Sequence, residues 1–467
     1  MALLLILIPL VSVIILNVGF KKAMRSVALW LGLFATFLQS FLVIFNNKLN
    51  IVLSTTAFNL ELDRLSLVLI LSVGIVAFCS LLVAAGTIKD PKKSFNFVNL
   101  ILLAVVGMNG VVMVRDIFSM YVFLEITAVA SFILIAIQED ELAFEGSFKY
   151  LVLSAIATIM MLTSISLLMM YSGDTTFLSV RDGVQGSNNF FVLTAVILFM
   201  AGLFIKGGLV PFHGWLPDAY TAAPASTSVF LAGIVTKTTG IYTMIRLVTE
   251  VFGFNETIKS ILLLVGIISI FIGAFAALTQ KDMKRMLAYS SISQVGYIIL
   301  ALGTGTELGI AGAVFHLFNH SIFKAQLFVN AAAVEKQTGT RDMDSMGGLS
   351  KVMPFTGWTS VVAFLSAAGI PPLSGFWSKL IIIIALWKVG QYGYAAAAIL
   401  GSLITLAYFL SLQRRVFFGK LKVLSIKEAG MSLVLPAVIL AIITIGVGVF
   451  FPFFVDTIII PVAGVLK

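Results

Sequence analysis

Fourteen long apolar stretches joined by short polar connections constrain this chain more than any single motif. They lie at about residues 2–20, 27–45, 65–86, 97–114, 117–137, 149–171, 189–210, 226–249, 258–279, 286–304, 308–334, 354–386, 392–413 and 430–461. A bilayer core takes roughly 20 apolar residues per helix. The expected fold class is therefore an all-α integral membrane protein of about 14 transmembrane helices, one polytopic domain over 1–467. At 60% hydrophobic and 11% charged residues, no sizeable soluble domain fits beside them. No Lys or Arg precedes the first run, and Lys21, Lys22 and Arg25 follow it, so it reads as a retained span and not as a signal peptide.

An even number of spans puts both termini on one side, and the positive-inside rule then assigns the sides. With the termini outside, inner connections receive 18 of the 30 Lys and Arg residues, among them Lys21, Lys22, Lys89, Lys149, Lys284, Arg341 and Lys427. The outer side receives 8, including Lys48, Arg115, Arg246 and Lys467. The four left inside apolar spans are Lys206, Lys237, Lys324 and Lys379. The formal charge of +9 is scattered and forms no basic stripe with interleaved aromatics, which excludes a nucleic-acid surface. With Cys79 as the single cysteine, the chain can form neither an internal disulfide nor an iron–sulfur cluster.

Two spans are interrupted alike. One runs Lys206-Gly-Gly-Leu-Val-Pro211-Phe-His213-Gly-Trp-Leu-Pro217, the other Gly369-Ile-Pro371-Pro372-Leu-Ser-Gly375-Phe-Trp377-Ser-Lys379. Proline removes a helical hydrogen bond, and the freed carbonyls are tolerated at membrane depth only against protein or a wet cavity. Paired interruptions in two halves point to a transporter built from inverted repeats. A weaker echo aligns Glu145-Gly146 with Ala311-Gly312.

Ionisable groups inside a membrane cost several kcal/mol, so each needs a partner, a water cavity or a shifted pKa. Glu125 lies far from the nearest polar loop and calls for an internal lysine. Lys206 stands five residues before Pro211, beside lapsed helical bonding, and Lys237 sits mid-span among hydroxyls able to order water. His316, His320 and Lys324 follow at i, i+4 and i+8, so one helical face carries all three. Imidazole exchanges protons near neutral pH. A zinc site is the weaker reading, because Leu317 replaces the glutamate of His-Glu-x-x-His and no third ligand is evident. Lys379 is the last embedded lysine and the expected end of the line. Asp218 is expected at the inner end of its span, with His213 nearby, capping a half-helix or attracting ions. No phosphate-cradling Gly-x-x-x-x-Gly-Lys motif occurs. The residues describe a conductor driven by an ion gradient or by redox partners.

These stretches, with Ala288-Tyr-Ser-Ser-Ile-Ser-Gln294-Val-Gly-Tyr297, resemble the antiporter-like membrane subunits shared by respiratory complex I, Mrp-type sodium/proton antiporters and membrane-bound hydrogenase or sulfur reductase complexes. The resemblance spans roughly the fourth to the thirteenth run. It implies two inverted five-helix repeats, 97–250 and 258–418, with helices seven and twelve broken. It implies a hydrated axis parallel to the membrane, with half-channels to either side, carrying a proton relay of Glu125, Lys206, Lys237, His316, His320, Lys324 and Lys379. The chain ends soon after its last run, which favours the smaller, Mrp D-like type over the largest complex I component.

The implied function is proton translocation in a multisubunit complex of a prokaryotic plasma membrane. This chain would hold no cofactor or metal; iron–sulfur clusters or a nickel–iron site would belong to partner subunits, and sodium is a second candidate ion. The alternatives are an autonomous transporter of a small solute and a structural or quinone-site subunit.

Overall fold

The computed structural model describes residues 2–19, 25–45, 51–54, 59–187, 189–422 and 426–465. Lys21, Lys22, Lys48 and Lys467, used above to assign sides, lie outside them. The chain is a helical bundle: α1 (Ala2–Gly19), α2 (Arg25–Ile44), α3 (Arg64–Thr87), α4 (Pro91–Met113), α5 (Ile117–Ala136), α6 (Glu141–Ser172), α7 (Phe177–Val184), α8 (Phe190–Gly207) and α9 (Trp215–Ala222). It continues with α10 (Ala225–Phe252), α11 (Glu256–Thr279), α12 (Met283–Leu302), α13 (Glu307–Thr338), α14 (Pro354–Ala368), α15 (Ser374–Lys388), α16 (Tyr392–Phe417) and α17 (Met431–Val449), followed by helical turns over 451–465. A hairpin that sequence patterning did not suggest pairs Ile51–Ser54 with Asn59–Leu62. The short α7, with one apolar face, was likewise unforeseen.

Among the described residues, ten helices are long and apolar enough to cross a membrane: α2 to α6, α8, α10, α11, α16 and α17. The helices α12 and α13 are 20 and 32 residues long, but their polar side chains lower their hydropathy. Burial separates an inner from an outer set. The apolar window of α10 is wholly buried and that of α4 is 83% buried, whereas those of α6 and α16 are 33% and 39% buried and turn large apolar side chains outward. At 1.5 Å per residue the 32-residue α6 and α13 are about 48 Å long, so their ends project beyond a hydrocarbon core of about 30 Å.

The cations assigned to opposite sides gather at opposite ends of the bundle. At the lysine-rich face, Lys149 and Arg285 hold Asp218 at 2.7 and 2.6 Å, and Arg415 binds Asp344. At the other face, Asp63 caps α3 by accepting from Ser66 N at 2.7 Å. Its two oxygens also receive Arg246 Nη1 and Nη2 at 2.6 and 2.9 Å, and Arg115 Nη2 at 3.1 Å. Arg246, placed by its sequence position as a cation near a helix end, is instead fully buried, with Glu250 and Tyr242 as further partners.

Burial alone would push the Asp63 carboxyl up; the Arg246 and Arg115 guanidinium groups outweigh it and hold the carboxyl below the usual carboxylate range. A carboxyl lowered by folding stabilises above its unfolded value, and that contribution is lost as pH falls through the folded one. The clamp is therefore complete at neutral pH. Removing one partner of a buried pair costs about 3 kcal/mol or more. Asp63→Asn is expected to lower the thermal unfolding temperature in detergent, while Lys281→Ala, which breaks an exposed 3.8 Å pair with Asp344, leaves it unchanged.

Candidate functional site

The first interruption falls where its glycines and Pro211 place it. α8 stops at Gly207, and Gly208, at φ +66°, turns its N–H back to Ile205 O at 3.1 Å. The freed Ile205 carbonyl also accepts the Trp215 indole N–H at 3.0 Å, and Val210 N donates to Ser269 Oγ at 3.2 Å. The chain resumes as α9, and the Val210–Pro211 bond between is cis. Of the two roles expected of Asp218, capping this half-helix is not the one it takes. Gly214 occupies the cap position, and the Asp218 carboxylate goes to Lys149 and Arg285.

The second interruption separates α14 from α15. Gly369, at φ +85°, closes α14 onto Leu365 O at 3.1 Å, and Pro371–Pro372 is cis. Lys379, on α15, reaches back across the gap and donates to Ala367 O at 2.8 Å. Gly375 N donates to Ser366 Oγ at 3.1 Å. Both breaks thus recover their lost carbonyl bonds from side chains, as membrane depth requires. An indole does so at the first and an ammonium at the second.

Glu125, on α5, accepts Lys206 Nζ at 2.9 Å and Thr158 Oγ1 at 2.7 Å, while Lys206 also donates to Ser154 Oγ at 3.2 Å. Lys206 is enclosed, but the Glu125 side chain keeps 28% of its surface. The pair therefore stands at one flank of the bundle. A close approach holds it in place: a Cβ on Gly240 of α10 would fall 2.4 Å from Gly207 Cα and N, so only glycine lets α10 touch the end of α8 there.

The remaining predicted residues converge in the interior. Lys237 lies within a π-helical part of α10 and donates in close contact to Ala232 O, five residues back, as the wider turn permits. The hydroxyls around it send their protons elsewhere and are not its partners. Thr238 and Thr239 bond carbonyls of their own helix, and Thr236 pairs with Tyr220. On α13, His316, His320 and Lys324 are fully buried; the two imidazoles stack at 6.2 Å and 15°. His316 Nδ1 bonds Ser378 Oγ at 2.9 Å, and Lys324 Nζ donates to Ser290 Oγ at 2.8 Å and Leu287 O at 3.1 Å. Lys379 Nζ also lies 4.5 Å from the centre of the Tyr297 ring.

Lys237, Lys324 and Lys379 have no carboxylate partner among the described residues. Both His320 nitrogens, His316 Nε2, Asn319 Oδ1, Gln294 Oε1 and Ser293 Oγ are buried without a protein hydrogen-bond partner. Such atoms are costly in a dry interior. Among the described residues no group of three or more His, Cys, Asp or Glu is placed to hold a metal.

Sequence reading missed the hydroxyl partners Ser154, Thr158, Ser290 and Ser378, and Tyr408, which donates to Ser290 at 3.1 Å. Small hydroxyls are common in membrane helices and give no spacing signal. It also assigned Lys284 to a connection, whereas the residue is buried in the first turn of α12.

Broken helices bracketing a buried lysine–histidine line define an antiporter-like membrane protein. The chain belongs to the NADH:quinone oxidoreductase/Mrp antiporter transmembrane family, whose sequence model matches residues 114–405. It is 35% identical over 366 residues to the D-type component of the Na(+)/H(+) antiporter of Alkalihalophilus pseudofirmus, covering 77% of this chain and 73% of that one. It is 35% identical over 343 residues to the N-type component of the NADH-quinone oxidoreductase of Desulforudis audaxviator, covering 72% and 68%. Its fold superimposes on a chain of the membrane-bound sulfane sulfur reductase, an archaeal respiratory membrane complex, with TM-score 0.90 at 28% identity over 99% and 97% of the two chains. A chain of the Mrp complex from Dietzia sp. superimposes with TM-score 0.91 over 100% and 96%; at 22% identity that likeness speaks for the fold alone.

Proposed function

We propose that the chain is the proton-translocating subunit of a multisubunit membrane complex, moving protons between Glu125 and Lys379 through Lys206, Lys237, His316, His320 and Lys324. The observation that carries this reading is the run of buried amines and imidazoles that lack carboxylate partners and leave ring nitrogens open. Both nitrogens of His320 are buried without a partner, and bound water is a group that satisfies such atoms. Charge on one lysine disfavours charge on the next, so a proton gained at one end promotes release at the other. Ammonium groups repel metal cations, which favours protons over sodium along this line.

Fourteen membrane helices follow when α1, α12, α13 and the broken pairs are counted with the rest. Two inverted repeats, 97–250 and 258–418, are supported by matched parts: the third helix of each has 32 residues and the fourth is broken. Gly146 packs on the backbone after the first break, at Asp218 and Ala219, and Gly312 on Ile382 after the second. The lysine-rich face is placed inward in a prokaryotic plasma membrane, and both termini outward. Energy would come from partner subunits, through redox centres such as iron–sulfur or nickel–iron sites, or from a sodium gradient.

The test begins with native purification and mass spectrometry of what co-purifies. Redox subunits would assign the chain to an oxidoreductase pump; small hydrophobic partners alone would assign it to a sodium/proton antiporter. The complex is then reconstituted in vesicles holding a pH-sensitive dye. Glu125→Ala and Lys206→Ala are expected to cut proton movement at least tenfold with assembly intact. Unaltered rates in both would refute the relay.

A further inference from the structure

Beside the second break the bundle wall holds a recess of about 160 Å³, between the end of α14, the first turns of α15 and the middle of α16. Lys379 lines it, with Phe376, Leu380 and Ile383 from its own helix and Ile399 and Leu403 from α16. Ile399 and Leu403 are 46% and 58% exposed and mark a mouth on the outward, apolar side of the bundle, whereas Lys379 is 3% exposed. Of the described residues around the recess, only Lys379 and Ser402 have polar side chains. The Ser402 hydroxyl is engaged with Tyr297 at 3.0 Å. An ammonium has three hydrogens to give. Among the described residues Lys379 gives one to a protein acceptor, Ala367 O, and the face of the Tyr297 ring is its other neighbour.

The depth of the mouth narrows what can enter it. Trp387 and Tyr392, exposed and ring to ring at 4.7 Å at the turn between α15 and α16, fit the aromatic belt of a membrane interface. From Tyr392, where α16 begins, to Ser402 is about 15 Å along the helix axis, about half the thickness of a hydrocarbon core. A phospholipid headgroup stays at the interface and does not reach that level. A free carboxylic acid does, because in apolar surroundings it keeps its proton and carries no charge. A glutamate from a neighbouring protein would bring only a short stem to the ammonium and leave the apolar walls uncovered.

We propose that the recess binds a long-chain fatty acid, taken from the membrane in its neutral form, with the carboxyl at Lys379 and the first part of the chain along Phe376, Leu380 and Leu403. On arrival the acid passes its proton to the neutral Lys379 amine. The carboxylate left behind and the ammonium formed stay together as an ion pair, and nothing else is consumed. The pair supplies the carboxylate that Lys379 lacks within the described chain. Binding stands apart from the relay; its effect on transport rests on the relay reading above, because an ammonium held by a bound carboxylate does not pass its proton on.

The test irradiates the native complex with a long-chain fatty acid that carries a photoreactive diazirine beside its carboxyl, and locates the label by mass spectrometry. Label is expected between Phe376 and Leu406, at least tenfold above that left by a fatty alcohol or a phospholipid with the same group. Lys379→Met removes the ammonium, and Leu403→Trp fills the mouth from an exposed position without touching the buried line. Each is expected to cut the label at least tenfold. Equal labelling by the alcohol or the phospholipid, or label that survives either substitution, would overturn the proposal. So would a crosslink from Leu403→Cys to a neighbouring subunit, which would give the recess to a protein. In reconstituted vesicles the fatty acid is expected to slow wild-type proton movement at least threefold beyond the leak it causes in protein-free vesicles, and to slow Leu403→Trp no further than that leak. Label at the recess without this slowing keeps the site and removes Lys379 from the relay.

Discussion

Lys324→Met is expected to lower proton translocation by about a hundredfold while the complex still assembles. Lys324 is fully buried and donates only to Ser290 and to a backbone carbonyl whose helical bond survives without it. Methionine has similar length, fills irregular gaps and removes a charge that is expensive in an apolar bundle. Folding therefore has little to lose, and unfolding in detergent should be unchanged or slightly later. Proton movement has no substitute at that point, because His320 and Lys237 lie beyond it with no carboxylate partner of their own. The measurement is the initial rate of dye response per assembled complex. A rate within twofold of wild type would remove Lys324 from the path.

The second large effect is structural. Gly240→Val places a branched side chain where a Cβ would already meet Gly207 Cα and N at 2.4 Å and the Lys206 carbonyl carbon at 3.0 Å. Overpacking costs about 1–3 kcal/mol when side chains can yield. Here the obstruction is backbone, so the cost falls at or above the upper end. The end of α8 must shift, carrying Lys206 away from Glu125. We expect the yield of assembled complex to fall several-fold and the surviving fraction to translocate poorly. Gly446→Val is the matching control, since a Cβ there meets nothing within 4 Å.

Much of this arrangement was legible in residue order because membranes penalise what soluble proteins tolerate. An unpaired Glu125 in an apolar run demanded a partner, and Lys206 provides it. The breaks were visible as Pro211 and Pro371-Pro372, whose missing N–H groups end helices in any context. The spacing of His316, His320 and Lys324 fixed their shared face. What stayed hidden depends on contacts between distant segments. Arg246 looked like a cation near a helix end because its partner, Asp63, lies 183 positions earlier. Lys284 looked like part of a connection because nothing local reveals that α9, α10 and α13 close over it. The hydroxyls around Lys237 look able to order water, but Thr238 and Thr239 give their protons to carbonyls of their own helix and keep only acceptor capacity.

The two breaks differ in what holds them together. At the first, the neutral Trp215 indole secures the stray carbonyl, and its bond is indifferent to any charge passing nearby. At the second, that duty falls to Lys379, the group proposed above as the end of the line. A hydrogen bond from an ammonium is roughly twice as strong as one from a neutral donor, so in the proposed relay a proton leaving Lys379 would slacken the junction of α14 and α15, and its return would tighten it. Under that proposal, occupancy and shape become a single variable at that end of the molecule: the amine that carries the proton is also the one that ties α14 to α15.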